Sequence, residues 1–375
     1  MKKIVCSIFI LLSLSTALFG ATGPRVSVLI CGKGNELYSI FGHAAIRIKY
    51  NTSDVVFNFG TFDTETSEFG YKFVRGDLNY ALSKANFTDF LKEYVSESRS
   101  VTEYPATLNS VDALKLNNSL EATYSSATGR VYKYQFLTDN CSTRIYALLK
   151  GNDHHSFNWP QKLYQTTFRE SINANLNNSP IARLGINILL GALGETKLNS
   201  TTNTFLPDSL VTELSRVSWK SNRLSMLGSA NKLFDKPVKS SNSYLLEIIL
   251  VMGMICAMIW SNFKSQAIVN LMIGSLLICL MIFSFRSEFK FNYAVLIFNP
   301  IDIFLIYKLS NHKCFIIISL FFNLLYVLLY LFLKINYPPL LLLDVFILGY
   351  KLKKYIISTG LISQKHTVTL KTIKT

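Results

Sequence analysis

Residues 139–149 read DNCSTRIYALL, and they place a thiol at the start of a helix. Thr138, Asp139 and Asn140 are three successive residues of the cap-forming type. They predict a helix over Ser142–Lys150 that runs to Gly151. Cys141 then sits at the helix N-terminus or one residue inside it, where free N–H groups and the positive end of the dipole favour a thiolate. A second island, FGHAAIRI at 41–48, supplies a base. His43 opens an alternating strand, His43–Tyr50, with Ala44, Ile46 and Ile48 on one face and His43, Ala45, Arg47 and Lys49 on the other. A strand packed beside the helix would bring the imidazole to the sulfur and create an activated nucleophile.

Working outward, RVSVLIC predicts a strand at Arg25–Cys31, and GKGNELYSIFG a polar turn. Asn51-Thr52-Ser53-Asp54 turns the chain into a return strand, Val55–Phe59. A short amphipathic helix is expected at Phe87–Val95, a strand near Arg99–Thr107, and a helix at Ser110–Ser125 capped by Ser110. Tyr132–Leu137 reads as an aromatic strand. Pro160–Ser200 reads as mostly helical, ending in ILLGALG at the membrane. A further helix starts at Phe205-Leu206-Pro207-Asp208, and Ala230–Ser243 reads as a polar linker.

Half of the 375 residues are hydrophobic, and the mean hydropathy is +0.28. The apolarity is uneven. Residues 21–240 are an ordinary globular mixture, whereas 244–358 are dominated by Leu, Ile, Phe and Val. MKKIVCSIFILLSLSTALFG has the basic start, short apolar core and small residues of a secretory leader, so the globular first half is expected to be exported. Five later segments approach the ~20 apolar residues that a bilayer core requires. They are Tyr244–Trp260, Ala267–Phe285, Phe291–Tyr307, Phe315–Leu333 and Leu340–Ser358; Asn299-Pro300 and Asp302 interrupt the third and point to a kinked, re-entrant or partly interfacial segment. Lys264, Lys308, Lys313, Lys351, Lys353 and Lys354 fall inside if the first half is outside, against Arg286, Lys290 and Lys334 in the outer loops. The net charge of +15 therefore fits anionic head groups and the positive-inside bias. No basic stripe interleaved with aromatics suggests nucleic acid.

Cys31 and Cys141 are the two cysteines of the exported half, and a disulfide between them is the structural alternative to a reactive thiol. Asn58 is the first candidate to orient the imidazole, Asp139 the second. The backbone N–H groups of Cys141 and Ser142 are candidates for an oxyanion site. Arg144 is either a contact for a lipid phosphate or a helix-face charge, and Ser39 and Asn140 join it as candidate substrate-binding residues. His154-His155 has no cysteine or carboxylate at ligand spacing, so no metal and no cofactor is expected. No GxSxG, GxGxxG, Walker or HExxH motif occurs.

GNELYSIFGHAAIRI, FNFGTFD, DNCSTRI, LLGALG and FLPDSL, followed by the apolar segments, resemble the Bacteroides-type lipoprotein N-acyltransferase (Lnb) family. A histidine strand followed by Asn-Cys at a helix start also resembles permuted papain-like enzymes of the lecithin:retinol acyltransferase type. The resemblance implies an α+β fold: a permuted papain-like (NlpC/P60-like) periplasmic domain followed by an all-α bundle of about five transmembrane helices. It divides the chain into a signal peptide (1–20), a periplasmic catalytic domain (21–240), a transmembrane domain (241–360) and a cytoplasmic tail (361–375). It implies a multi-pass protein of the bacterial inner membrane that takes a phospholipid acyl donor and acylates bacterial lipoproteins, with Cys141 as nucleophile and His43 as base. The sequence departs from the family before NYAVLIFNP, where Arg286-Ser287-Glu288 stand in place of an expected histidine. Two other readings use the same residues. One is a membrane-tethered NlpC/P60-like amidase, and the other a non-enzymatic envelope assembly factor stapled by Cys31–Cys141.

Overall fold

Alternating β-branched and aromatic residues between short turns build the centre of the first half. The computed structural model describes residues 23–236 apart from 35, 37, 64 and 66, then 249–253, 255–256, 263–305 and 313–359. The expected leader and tail lie outside these residues. Seven antiparallel strands form one sheet: β1 (Arg25–Cys31), β2 (His43–Tyr50), β3 (Ser53–Thr61), β4 (Asn79–Asn86), β5 (Val101–Pro105), β6 (Val131–Lys133) and β11 (Asn231–Phe234). Their order is β11-β5-β1-β2-β3-β4-β6. Two small ribbons pair β7 (Phe157–Asn158) with β10 (Ser218–Trp219), and β8 (Leu163–Thr167) with β9 (Lys197–Asn199).

Both faces of the sheet are covered. Val28, Ile30, Ile46, Ile48 and Phe57 pack against α3 (Ser110–Ser125), α4 (Cys141–Gly151) and α7 (Pro207–Arg216). The alternate residues Leu29, Cys31, Ala45 and Val56 meet Phe90 and Tyr94 of α2 (Phe87–Ser96). A third cluster joins Phe168 and Ile172 of α5 (Phe168–Asn175) to Leu137, Leu198 and Phe205. A short helix, α1 (Phe69–Arg75), precedes β4.

Several local expectations change. Asn109, not Ser110, caps α3: its extended backbone leaves Oδ1 free to accept the Asp112 N–H at 2.8 Å. The aromatic strand stops at Lys133, because Gln135 and Asp139 exchange backbone hydrogen bonds of 3.0 and 2.9 Å and turn the chain into α4. Residues 160–200 include the β8–β9 ribbon beside α5 and α6 (Pro180–Leu189). Within the expected linker, β11 is an edge strand on β5.

The C-terminal region contains α8 (Phe263–Phe283), α9 (Ala294–Ile297), a 3-10 turn at Pro300–Leu305, α10 (Lys313–Leu333) and α11 (Pro338–Thr359). Among the described residues, two stretches are long and apolar enough to cross a membrane, Lys264–Phe283 and Cys314–Leu333, where five were expected over the whole region. Residues 291–305 form short pieces rather than a span: Pro300 cannot donate to a helical ladder, and Asn299 Oδ1 takes the Ile301 N–H at 3.1 Å. The last segment is one helix, α11, but Asp344, Lys351, Lys353 and Lys354 make it too charged to count by composition. Tyr244–Trp260 lies mostly outside the described residues.

The loop after α8 joins the two regions. Ser284 Oγ donates to the carbonyls of Val74 and Arg75, and the Phe285 N–H donates to the Arg75 carbonyl at 2.7 Å. Arg286 sends Nε and Nη2 to the Phe73 carbonyl and pairs with Glu288, both side chains being buried. Gly191 donates to the Glu288 carbonyl, and Asn292 donates to those of Ile188 and Leu189. ILLGALG, expected at the membrane, thus packs on the C-terminal helical region. Arg286-Ser287-Glu288 sits at this joint.

Candidate active site

The start of α4 is fixed by its cap. Asn140 Oδ1 accepts the N–H groups of Ser142 and Thr143 at 2.9 and 3.0 Å, and Thr143 Oγ1 accepts the Asn140 N–H to complete a capping box. Its Nδ2 donates to the Phe136 and Phe205 carbonyls at 2.6 and 2.8 Å. The whole amide of Asn140 is therefore used inside the protein, holding Cys141 at the first helical position.

His43 is delivered by the loop before β2. Ser39 is buried; its hydroxyl donates to the Glu36 carbonyl, and its own carbonyl accepts from Gly34 and Gly42, each at 2.9 Å. Gly42 turns the chain at φ +81°, where a Cβ would lie 2.7 Å from the Cys31 carbonyl oxygen. The imidazole that comes next is hydrogen-bonded to the Cys141 thiol. Its Nε2 donates to Asn58 Oδ1 at 2.5 Å, an assignment that leaves Nδ1 for the sulfur. The Ala44 N–H and the Ser142 hydroxyl, 3.8 Å away, also serve the sulfur.

Electrostatics follow from this packing. Burial of Cys141 opposes ionisation, but the adjacent His43 charge and hydrogen bond, the Ala44 N–H and the Ser142 hydroxyl overcome it, bringing the thiol down to about 7. Burial opposes the charged form of His43 as well. The thiolate and the bond to Asn58 outweigh that and raise its pKa. Each group thus favours the charged form of the other. Cys31 differs. It is a free thiol buried on the opposite sheet face among Leu29, Ala45 and Tyr94, and burial pushes it far above its ordinary value. Cys141 is likewise free, so the disulfide alternative has no counterpart in the fold.

Asp139 holds Arg144 through two bonds of 2.6 and 2.7 Å, so its carboxylate is turned to Arg144 while Asn58 meets the imidazole. The Arg144 guanidinium stacks 3.4 Å over the Tyr132 ring. Arg144 also lines a cavity of about 500 Å³ with Leu137, Tyr146, Ala147 and Thr201. Tyr132 is the residue that sequence reading missed. Its hydroxyl is buried with no hydrogen-bond partner among the described residues, and burial raises its pKa, keeping it protonated. At Gly60, where φ is +99°, an added Cβ would lie 3.8 Å from His43 Cε1 and 4.0 Å from Tyr132 Oη, so both groups border one space. The only hint in the sequence was the aromatic density of residues 132–136. Among the described residues, no three His, Cys, Asp or Glu side chains gather to hold a metal.

A buried thiol thus meets a half-buried imidazole and amide at a helix start on an antiparallel α+β domain. Residues 18–172 match the family model described as the Lnb N-terminal periplasmic domain. That match covers His43, Asn58, Tyr132 and Cys141 and supports the Lnb resemblance. With the two membrane-length helices, it indicates a membrane protein with a periplasmic domain. Neither a curated protein nor a solved structure matches the chain.

Proposed function

We propose that the chain is a lipoprotein N-acyltransferase. It would move an acyl chain from a phospholipid, through a thioester on Cys141, to the N-terminal amine of a diacylglyceryl-cysteine lipoprotein. The carrying observation is the Cys141–His43–Asn58 cluster, lying within the stretch that matches the Lnb periplasmic domain. In this reading residues 21–240 form a papain-like catalytic domain in the periplasm and 241–360 a multi-pass anchor in the inner membrane.

Cys141 thiolate attacks the phospholipid ester carbonyl. His43 gives its proton to the departing glyceryl oxygen, and lyso-lipid leaves a thioester. The lipoprotein amine then attacks this carbonyl and His43 takes the amine proton. The C–S bond breaks, which restores thiolate and imidazolium alongside an amide product. Asn58 holds the ring. The Ser142 N–H is occupied by Asn140, so the oxyanion is assigned to the Cys141 N–H and the Tyr132 hydroxyl. Arg144, stacked on Tyr132, strengthens that hydroxyl as a donor. Ser39 and Asn140 act by holding the loop of His43 and the helix of Cys141.

The test feeds vesicles containing the full-length protein with phospholipid labelled in its acyl chain. A hydroxylamine-labile label on Cys141, chased onto a lipoprotein amine, is expected. Cys141→Ala should lower transfer by at least about a thousandfold. Failure of Cys141 to take up label would overturn the proposal, and release of cell-wall peptides without an acyl-enzyme would favour the amidase.

A further inference from the structure

Five aromatic rings lead away from the thiol towards the end of a membrane-length helix. Tyr134 borders Gly60 beside His43, with Cε2 3.7 Å from where a Cβ would stand. Tyr80 stacks on Tyr134 at 4.7 Å, Phe62 meets Tyr80 at 5.1 Å, Phe69 stacks on Phe62 at 5.9 Å, and Phe73 follows Phe69 at 5.9 Å. Phe62, Phe69 and Phe73 are only half-buried. The last two belong to α1, whose Tyr71 and Val74 are exposed next to exposed Phe283 and Phe285 at the end of α8.

The surroundings indicate what covers these rings. α1 is bonded to the outer end of α8 through Ser284, Phe285 and Arg286, so it lies where an apolar helix leaves the bilayer. Arg75, on the same helix, places its guanidinium 5.0 Å over Phe285, and its buried Nε has no partner among the described residues. An arginine on an aromatic at that depth suits the phosphates of an outer leaflet.

We infer that the ring file Tyr134–Tyr80–Phe62–Phe69–Phe73 seats the acyl chain of a membrane phospholipid, with its ester carbonyl at Cys141 and its tail directed along α1 to the leaflet. This rests on the acyl-thioester reading above and adds the path of the chain. After lyso-lipid departs, the same rings hold the tail of the thioester, so the acyl group stays sheltered until the amine arrives. Arg286, bonded to the Phe73 carbonyl and lying 5.0 Å from the Phe73 ring, keeps the outer end of the file in register with the helices.

Two measurements on the full-length protein in phosphatidylethanolamine vesicles test it. The first compares Cys141 acylation by a long-chain phospholipid and by a soluble butyryl ester in wild type, Phe62→Ala and Phe69→Ala. The long-to-short rate ratio should fall about tenfold or more in each variant, as expected for losing a ring's worth of apolar contact. Acylation of Cys141 with an unchanged ratio overturns the acyl path alone, whereas no acylation by either donor overturns the thioester reading with it. The second uses wild type and a phospholipid with a diazirine near the tail end. Labelling should fall on 62–80, and labelling confined to the cavity beside α4, at Tyr146–Gly151 or Thr201–Thr204, would overturn the inference.

Discussion

The sheet domain and the C-terminal helices both enclose apolar side chains, but they differ in what they expose and in how their buried polar groups are linked. In the first, Val28, Ile46, Phe57, Leu116, Leu120 and Ile145 are fully enclosed. In the second, Asp302, Asn323, Asp344 and Lys351 are enclosed, while Phe332 is 82% exposed and Met272, Phe283 and Leu331 also face outward. Lys351 Nζ lies 2.8 Å from Asp302 and donates to Asn323 Oδ1 at 2.7 Å; Asn270 and Ser319 donate to Asp302, and Asn323 donates to Asp344. The network ties α8, α10, α11 and the Pro300–Leu305 turn together. Expulsion of apolar surface from water organises the sheet domain. Surrounded by lipid, that driving force vanishes between helices, and interhelical polar contacts and close packing replace it.

The comparison breaks most visibly at Asp302. Asp302→Leu strands the buried ammonium of Lys351, which should cost about 3–5 kcal/mol. The readouts are a lower melting temperature of the full-length protein in micelles and lower abundance in membranes. Adding Lys351→Met removes the orphaned charge and should recover most of the loss. A single variant as stable as the parent would contradict the charge-centred account of the helices. The matching experiment in the sheet domain removes carbon instead. Ile145 is fully buried on the inner face of the helix of Cys141, and Ile145→Ala should lose about 2–5 kcal/mol through the cavity it leaves.

A smaller effect sharpens one of the places where the sheet domain buries charge, a site separate from the Arg169–Glu195 pair. Cys141 ionises at about 7, below the ~8.5 of a free thiol. The thiolate therefore contributes stability above ~8.5 and loses that contribution as pH falls through about 7. His43 is shifted the other way. Its contribution is complete below ~6.5 and fades as pH rises through its raised value. The iodoacetamide rate at Cys141, followed by mass spectrometry of its peptide, should inflect near 7. In His43→Ala the opposing effect of burial remains, so the inflection should move up to ~8.5 or beyond, slowing alkylation at pH 7 by about fifteenfold or more. Cys31, enclosed and hard to ionise, is the internal control. An inflection unmoved by His43→Ala would disconnect the two side chains.

How much of this was legible depended on whether a residue's neighbours lie close in sequence. RVSVLIC and HAAIRIKY gave β1 and β2 to the residue, because each strand is short, bounded by turns and packed on both faces. The helix after DNC was legible because a cap and its helix are local. β11 was hidden in a polar stretch: as a solvent-facing edge strand it carries no alternation, and only pairing with β5 creates it. α1 and β4 went unread for a similar reason. Hydropathy found α8 and α10, and Asn299-Pro300 marked the break in the segment between them, but the charges of α11 were averaged over because their partners lie on other helices. Cys141, His43 and Asn58 could be named from motif and chemistry, whereas Tyr132 could not, since the emptiness around its hydroxyl exists only once β6, β3 and α4 are assembled.

The smallest expected effect separates a cap that only stabilises from one that also serves the site. Asn109 and Asn140 both cap helices with Oδ1. Asn109 holds α3 through the Asp112 N–H and donates to the Asp112 carboxylate, and nothing at Cys141 depends on it. Asn109→Ala should therefore lower stability by about 1 kcal/mol and leave the alkylation midpoint of Cys141 in place. Asn140→Ala removes two bonds to the start of α4 and two to the Phe136 and Phe205 carbonyls, so the helix end frays where the thiol sits. Its midpoint should rise as the Cys141–His43 contact loosens, while Asn140→Asp, keeping Oδ1 towards the helix, should restore part of the shift. Equal midpoints in Asn109→Ala and Asn140→Ala would mean that the cap holds the helix without holding the chemistry.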